Sequence, residues 1–585
     1  MKKYSGPKYI VVVGGVISGV GKGMATASIA KIFTNFGYRT TAIKIDPYIS
    51  YDAGLFRPSE HGEVWVTEDG GEIDQDLGTY ERFLNVNISK TNNITTGQIY
   101  KEVIERERRG EYLGATVEFI PHITDEIKRR IISAGKGNEI VIVEIGGTMG
   151  EYQNIPFLFA MKSLEQEIGK SNMVYVLITF LPVPSHIQEM KTKPTQQAIK
   201  LLSENGIFPD FILCRARQRL DHIRKKKIET YANIPIENVI SAPDTNNVYS
   251  IPLNFERDRL GDKILEVLCL KKKKKPDWQS WKYLVNQIEH PKRQVTVGIV
   301  NKYVVTGSFR LADCFLSVNR AIIHASAAYG VKTDIRWIDA ENLEGKTEEE
   351  FSNVLQECDG FIVPGAFGTM GVEGMIRVIR FAREQGIPYL GLCFGLQMAV
   401  IEYARNVLGL SNAHTTEVNP ETEHPVIDIL ESQKKIIEEM RLGGTMRLGA
   451  YAAILRKDSL VYTIYKRRER LKVDMEEVRR MRKNPELKYR LGKLREGQIW
   501  VLERHRHRYE VSPHYVKDIE KKGLVFSGYH MRHDGTRLME FIELRNHPFF
   551  IATQAHPEFK SRLENPAPLF HGFIGSTINQ AKKKK

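Results

Sequence analysis

Strand-length apolar runs, each followed by a helix-length amphipathic stretch, recur through the first part of this chain, at residues 9–14, 40–45, 139–145, 174–181 and 211–215. Runs of this kind suit strands buried on both faces, and the helices between them supply the crossovers that a parallel sheet requires. The rhythm breaks at 271–281, a charged stretch that contains Pro276 and has no periodicity. It resumes at 295–300, 335–339, 360–364 and 388–393. A chain of 585 residues is also too long for one core. The expectation is an α/β protein of two doubly wound domains, residues 1–270 and 293–585, joined by a linker at 271–292.

The formal charge of +14 is concentrated in the runs 271–275, 466–495 and 582–585. Such runs read as solvated segments rather than a nucleic-acid surface. The stretch 465–497 reads as a basic helical insertion interrupted at Asn484-Pro485, serving as a structural extension or an oligomer contact. No run reaches the roughly 18 apolar residues of a spanning helix, and the N-terminus leads into its first strand without a signal-type apolar region. Five cysteines, scattered and without CxxC spacing, argue against a disulfide framework or a zinc site. The chain is expected to be cytoplasmic, with neither membrane nor nucleic acid as partner.

Residues 11–23 read VVVGGVISGVGKG and precede a helical pattern. A strand, a glycine-rich turn and a helix form a phosphate cradle: backbone N–H groups and the helix N-terminus face the anion, and a lysine reaches its oxygens. The common phosphate-loop spacing is not met, since Val16 stands at the first glycine and Gly23 where a magnesium-binding hydroxyl belongs. A metal must then be held by carboxylates elsewhere. Asp76, in an acidic loop, and Glu144, closing an apolar strand, are the candidates.

The second half carries PYLGLCFGLQ at 388–397. Cys393 sits between a strand and a helix with Gly391 and Gly395 beside it, the layout of a nucleophile elbow. His556 and Glu558, in QAHPEF after another apolar run, complete a nucleophile, base and orienting carboxylate.

These strings resemble CTP synthases. GGVISGVGKG (14–23), IKIDPY (43–48), HGEVWVTEDGGEIDQDLGTYERF (61–83), RRGEYLGATV (108–117), VEIGGTMG (143–150) and KTKPTQ (191–196) stand in the order of that family's synthetase domain. GGTMRLGA (443–450) and ERHRHRYEV (503–511) match its amidotransferase domain, and the likeness covers about 8–265 and 290–575. The resemblance implies a P-loop-like N-terminal synthetase domain and a C-terminal class I glutamine amidotransferase domain. In that family ATP phosphorylates O4 of UTP, and ammonia from L-glutamine, or free ammonia, displaces the phosphate to give CTP.

Residue by residue, the resemblance assigns ATP to Ser18, Gly19, Val20, Gly21, Lys22, Gly23 and Asp76, and magnesium to Asp76 and Glu144. UTP and CTP fall to Ser18, Lys44, Glu151, Gln153, Lys191, Lys193, Gln196 and Lys227, with Lys44 near the transferred phosphate. The glutaminase triad is Cys393, His556 and Glu558; glutamine contacts fall on Ala366, Phe394, Gly395, Leu396, Gln397, Glu417 and Arg508. Arg508 and Glu417 suit the α-carboxylate and α-ammonium of glutamine. GTP as activator, CTP as feedback inhibitor and a homotetramer with shared nucleotide sites are implied as well.

The chain departs from the family pattern at several positions. Ala366 and Met370 replace a glycine and an arginine around the oxyanion loop, and Gln153 replaces an acid that helps hold the product's ribose. Gln188, Leu55 and Arg57 also break the usual strings. Weaker CTP inhibition is predicted, and a slower glutaminase if position 366 needs positive φ. Two rival readings remain open at this point: an amidotransferase–ligase with another acceptor, and a filament-forming paralogue with an impaired glutaminase.

Overall fold

A computed structural model describes residues 4–584 other than 187–188, 303–304, 307–308, 311, 431–432 and 435–442, so Gln188 lies outside the described residues. The chain forms two compact units: residues 1–53 with 73–285, and residues 54–72 with 286–585.

In the first unit the strands are β1 (Lys8–Gly14), β2 (Thr40–Asp46), β3 (Asn93–Thr95), β4 (Ile140–Ile145), β5 (Met173–Phe180), β6 (Phe211–Ala216) and β7 (Val239–Pro243). They make one all-parallel sheet in the order β3-β2-β4-β1-β5-β6-β7. Ile10, Val11, Val12 and Val13 are wholly buried, as a central strand covered on both faces requires. The chain leaves β1 toward β2 and returns through β4, so the carboxyl ends of β1, β2 and β4 border a topological switch point, where such sheets bind ligands.

The second unit has β8 (Arg293–Asn301), β9 (Val331–Asp339), β10 (Gly360–Val363), β11 (Tyr389–Leu392), β12 (Arg447–Leu455), β13 (Ile499–His507), β14 (Leu524–Met531), β15 (Arg537–Leu544) and β16 (Phe550–Thr553). Their order is β9-β8-β10-β11-β16-β15-β14-β12-β13. The β9-to-β16 half is parallel and the rest antiparallel.

Two boundaries differ from the sequence expectation. The segment 271–292 is not a plain linker: it holds the helix Gln279–Glu289, whose buried Trp281 packs on Phe83 and donates to Tyr249 O at 2.8 Å. The charged composition of 271–275 hid the aromatic anchor behind it. Residues 54–72 belong with the second unit, because their polar groups are claimed there. Arg504 Nε donates to Glu68 Oε2 at 3.1 Å, Lys560 Nζ lies 2.7 Å from Glu68 Oε1, and Arg506 Nε donates to Glu72 Oε1 at 2.8 Å.

The basic insertion is helical, with Leu460–Arg467, Arg470–Met481 and Pro485–Lys488, the last capped by Asn484. Its Arg490 donates to the carbonyls of Glu68 and Asp69 at 2.9 and 3.0 Å. A side chain at Gly449, in the GGTMRLGA string, would collide with Arg490 and with Glu68 O. The insertion is thus tied to the acidic turn at Glu68 and Asp69.

Burial alone would raise the Glu68 carboxyl, but Lys560 and Arg504 outweigh it and hold the group at about 2, against 4.5 when free. A depressed carboxylate stabilises the folded state fully above its unfolded value, and that contribution is lost as pH falls through the folded value. Glu68 should therefore contribute about 3 kcal/mol at neutral pH that disappears between about pH 4.5 and 2. Denaturant unfolding against pH checks this: Glu68→Gln is expected to be less stable at pH 7 and to lack that slope.

Candidate active sites

The turn after β1 reaches its shape through left-handed residues: Val16, Gly19 and Gly21 have φ of 81°, 72° and 99°. Gly21 caps the helix Lys22–Asn35 without a side-chain bond, so its first-turn N–H groups remain available to an anion. Ser18 is exposed and Val20 buried. Gly23 has a packing reason for lacking a hydroxyl: a Cβ there would clash with Asp76 Oδ1. Lys22 is buried, donates to Gly147 O at 2.6 Å, and is held below the usual lysine range by burial, which Glu144 partly offsets.

Lys44, on β2, is the centre of the cluster. Its ammonium bonds to Asp76, lies 2.9 Å from Glu144 Oε1 and 3.9 Å from Asp46 Oδ1. Burial pulls its proton affinity down, but Asp76, Glu144, Asp46 and Asp74 outweigh burial and hold it well above the ordinary value. Tyr80 donates to the other oxygen of Glu144. Burial first, and neighbouring carboxylates after it, push Asp46 up to about 7 and Asp74 up to about 6. Among the described residues, five carboxylates, Asp46, Asp74, Asp76, Glu144 and Glu151, thus act on the two ammonium groups of Lys22 and Lys44.

Beside the turn, a pocket of about 130 Å³ is walled by Met24, Leu213, Val248 and Phe255, with Arg215 and Asp244 at its polar side. Arg215 donates to Gly19 O at 2.8 Å and to Asp244 Oδ1 at 2.9 Å. Neither residue stands out in the sequence, because both are single polar positions at strand ends. Gln153 donates to Glu151 at 3.2 Å. Lys191 pairs with Glu189 at 2.7 Å, and Glu189 also accepts from Arg224 at 2.8 Å. Lys193 and Lys227 are exposed and Gln196 half-buried, so these groups are not drawn into the Lys44 cluster by contacts within the described residues.

In the second unit, β11 turns sharply at Cys393, whose φ of 50° and ψ of −98° lie outside the ordinary regions, and enters the helix Phe394–Tyr403. Strain of this kind exposes a nucleophile at a helix N-terminus. Phe394, Gly395 and Leu396 are buried, and a Cβ at Gly395 would strike Val363 O, so the helix start presses on β10. His556 Nδ1 lies 2.7 Å from Glu558 Oε1, while His556 Nε2 is buried with no hydrogen-bond partner among the described residues. A Cβ at Gly365 would stand 2.7 Å from His556 Cε1 and 3.5 Å from Cys393 Cβ, which places sulfur and imidazole around one point. Burial lowers the imidazole, but Glu558 and Cys393 outweigh it and keep its proton affinity raised. The arrangement favours the imidazolium form of His556.

Ala366 is not among the residues with positive φ, so its methyl imposes no backbone penalty and the condition for a slower glutaminase is not met. Met370 is exposed. Gln397 Nε2 donates to Tyr509 O at 3.0 Å, and Gln554 Nε2 donates to Cys393 Sγ at 3.6 Å. Glu417 accepts from Gly368 N at 3.0 Å; Arg508 donates to Gln433 and Thr445 at 2.7 and 3.0 Å. Sequence reasoning missed Lys302, which lies 4.2 Å over the Phe394 ring and is lowered to about 8 by burial, with Glu417 opposing. It has no motif of its own.

Comparison with known proteins decides the family. Profiles described as "CTP synthase N-terminus" and "Glutamine amidotransferase class-I" match residues 8–270 and 310–576. A CTP synthase of Pyrococcus furiosus is 47% identical over 577 residues, 99% of each chain. The chain belongs to the CTP synthase family. CTP synthases of Methanopyrus kandleri and Methanocaldococcus jannaschii are 46% and 45% identical, each covering 98% of this chain and 99% of their own. Within the family frame, the Lys44 cluster lies in the synthetase unit and Cys393 in the amidotransferase unit. No helix among the described residues is long and apolar enough to cross a membrane.

Proposed function

We propose that the chain makes CTP from UTP, using ATP and ammonia taken from L-glutamine. The observation that carries this reading is the buried Lys44–Asp76–Glu144 cluster beside a glycine turn in one unit, with a Cys393–His556–Glu558 array in the other. Cys393 Sγ attacks the glutamine carboxamide carbon. His556 delivers a proton to the departing nitrogen, ammonia leaves, and water then releases glutamate from the thioester. First-turn N–H groups at Phe394 and Gly395, together with the N–H of Ala366, would hold the oxyanion as it develops.

In the synthetase unit, Lys22 and the turn's N–H groups hold ATP phosphates, and the apolar pocket at Met24 and Phe255 receives the base. Lys44 neutralises the phosphoryl group in transfer to UTP O4. Magnesium fits these residues: the cluster carries more carboxylates than ammonium groups, so a triphosphate needs a divalent cation to enter, and Asp76 and Glu144 offer the hard oxygens. The ion would supply further charge neutralisation at the phosphates. Lys191, Lys193, Gln196, Lys227, Glu151 and Gln153 are assigned to UTP and CTP, a site completed in a homotetramer, with GTP activating the glutaminase.

An acceptor panel with ammonium and ATP tests the reading. UTP is expected to be the acceptor that yields aminated product; another acceptor turned over in its place would establish a different ligase.

A further inference from the structure

A cleft of about 790 Å³ opens on the second unit at the amino ends of β8, β9 and β16, a volume in the range of small-molecule sites. Cys393 and His556 follow the carboxyl ends of β11 and β16, so the cleft is on the opposite edge of the same sheet. It is lined by Lys292, Arg293, Arg467, Arg468 and Lys582, and by no carboxylate among the described residues. Closing turns of helices account for Arg467 and Lys582, since cations favour helix C-termini. Arg468 caps the same helix as Arg467, yet its Nε is buried with no hydrogen-bond partner among the described residues, and no helix end accounts for Lys292 or Arg293.

The floor is aromatic. The rings of Tyr329 and His571 lie 4.5 Å apart at 31°, joined by a 3.1 Å contact from the hydroxyl to Nδ1. Room for Tyr329 comes from Gly575, where a Cβ would stand 2.7 Å from its hydroxyl oxygen, in the interior of the helix Pro568–Lys584. Glycine in a helix interior costs roughly 1 kcal/mol against alanine.

We propose that this cleft is a further binding site, on the sheet edge opposite Cys393, for a phosphate-bearing anion. Guanidinium and ammonium groups lining a cleft with no carboxylate among its described lining residues suit phosphoryl oxygens, and forked arginines bind these in bidentate fashion. The Tyr329 face adds affinity for a nucleoside if the phosphates carry one. The inference does not depend on which reaction the chain catalyses.

Lysine acetylation of the full-length protein, read peptide by peptide by mass spectrometry, tests it with tripolyphosphate, ATP and orthophosphate as probes. Tripolyphosphate is expected to slow labelling of Lys292 and Lys582 several-fold while leaving Lys457 unchanged. The Arg467→Ala/Arg468→Ala double variant should lose that protection while still forming CTP from ammonia, which shows that it folds. Equal protection by ATP and tripolyphosphate would identify the phosphate chain as the recognised group; stronger protection by ATP would make the ligand a nucleotide. Labelling of the parent protein unchanged by every probe, or slowed equally at Lys457, would overturn the proposal, whatever the double variant does.

Discussion

Replacing Cys393 by alanine is expected to lower glutamine-driven CTP formation by at least about 10³-fold while leaving formation from free ammonia within about twofold of the parent. In the proposed reaction the sulfur is the nucleophile; it sits at the strained elbow, and Gly365 faces it and His556 at once. Removing it takes away the thioester route to ammonia. It leaves the Lys44 cluster untouched, since every member of that cluster belongs to the other unit. Initial rates of CTP formation with each nitrogen source check the split; an equal fall in both would mean that Cys393 supports structure rather than ammonia supply.

Lys44→Met is expected to do the reverse in kind: a loss of roughly 10²–10³-fold with glutamine and ammonia alike, with glutamine hydrolysis retained. Two effects combine. In the proposed reaction the phosphoryl group in transfer loses the Lys44 cation, and Asp76, Glu144 and Asp46 lose the ammonium that now neutralises them. Leaving buried carboxylates uncompensated costs about 3–5 kcal/mol. Thermal unfolding should therefore shift down in the variant, and added magnesium should recover part of the shift if Asp76 and Glu144 hold that ion.

Much of this is legible in the amino-acid sequence, for a physical reason. Asp76 and Glu144 are singled out there because a missing hydroxyl at Gly23 calls for carboxylates and a strand-end acid in a parallel sheet points into the ligand crevice, and the structure brings both to Lys44. The structure supplies the complementary cause at Gly23, where Asp76 fills the space. Cys393, His556 and Glu558 are likewise carried by local strand-turn-helix chemistry. What sequence does not carry are contacts set by tertiary packing. The pairing of residues 54–72 with Arg504, Arg506 and Lys560 joins positions more than 400 apart and leaves no local pattern. Lys302, Arg215 and Tyr80 are ordinary residues until the fold brings them to a ring, a glycine carbonyl or a buried carboxylate.

Ala366 shows the same division from the other side. The substitution is visible in the sequence, but its effect depends on a backbone angle, and that angle is not of the kind that excludes alanine. An impaired glutaminase therefore loses its main support, while the triad geometry stands.

The central claim is that one chain joins glutamine hydrolysis to UTP amination. CTP formation by the purified full-length protein with ATP, UTP and magnesium, measured with glutamine and then with ammonium as nitrogen source, tests it most directly. CTP is expected from both, with glutamate released alongside it in the glutamine reaction. No CTP from either source would contradict the claim.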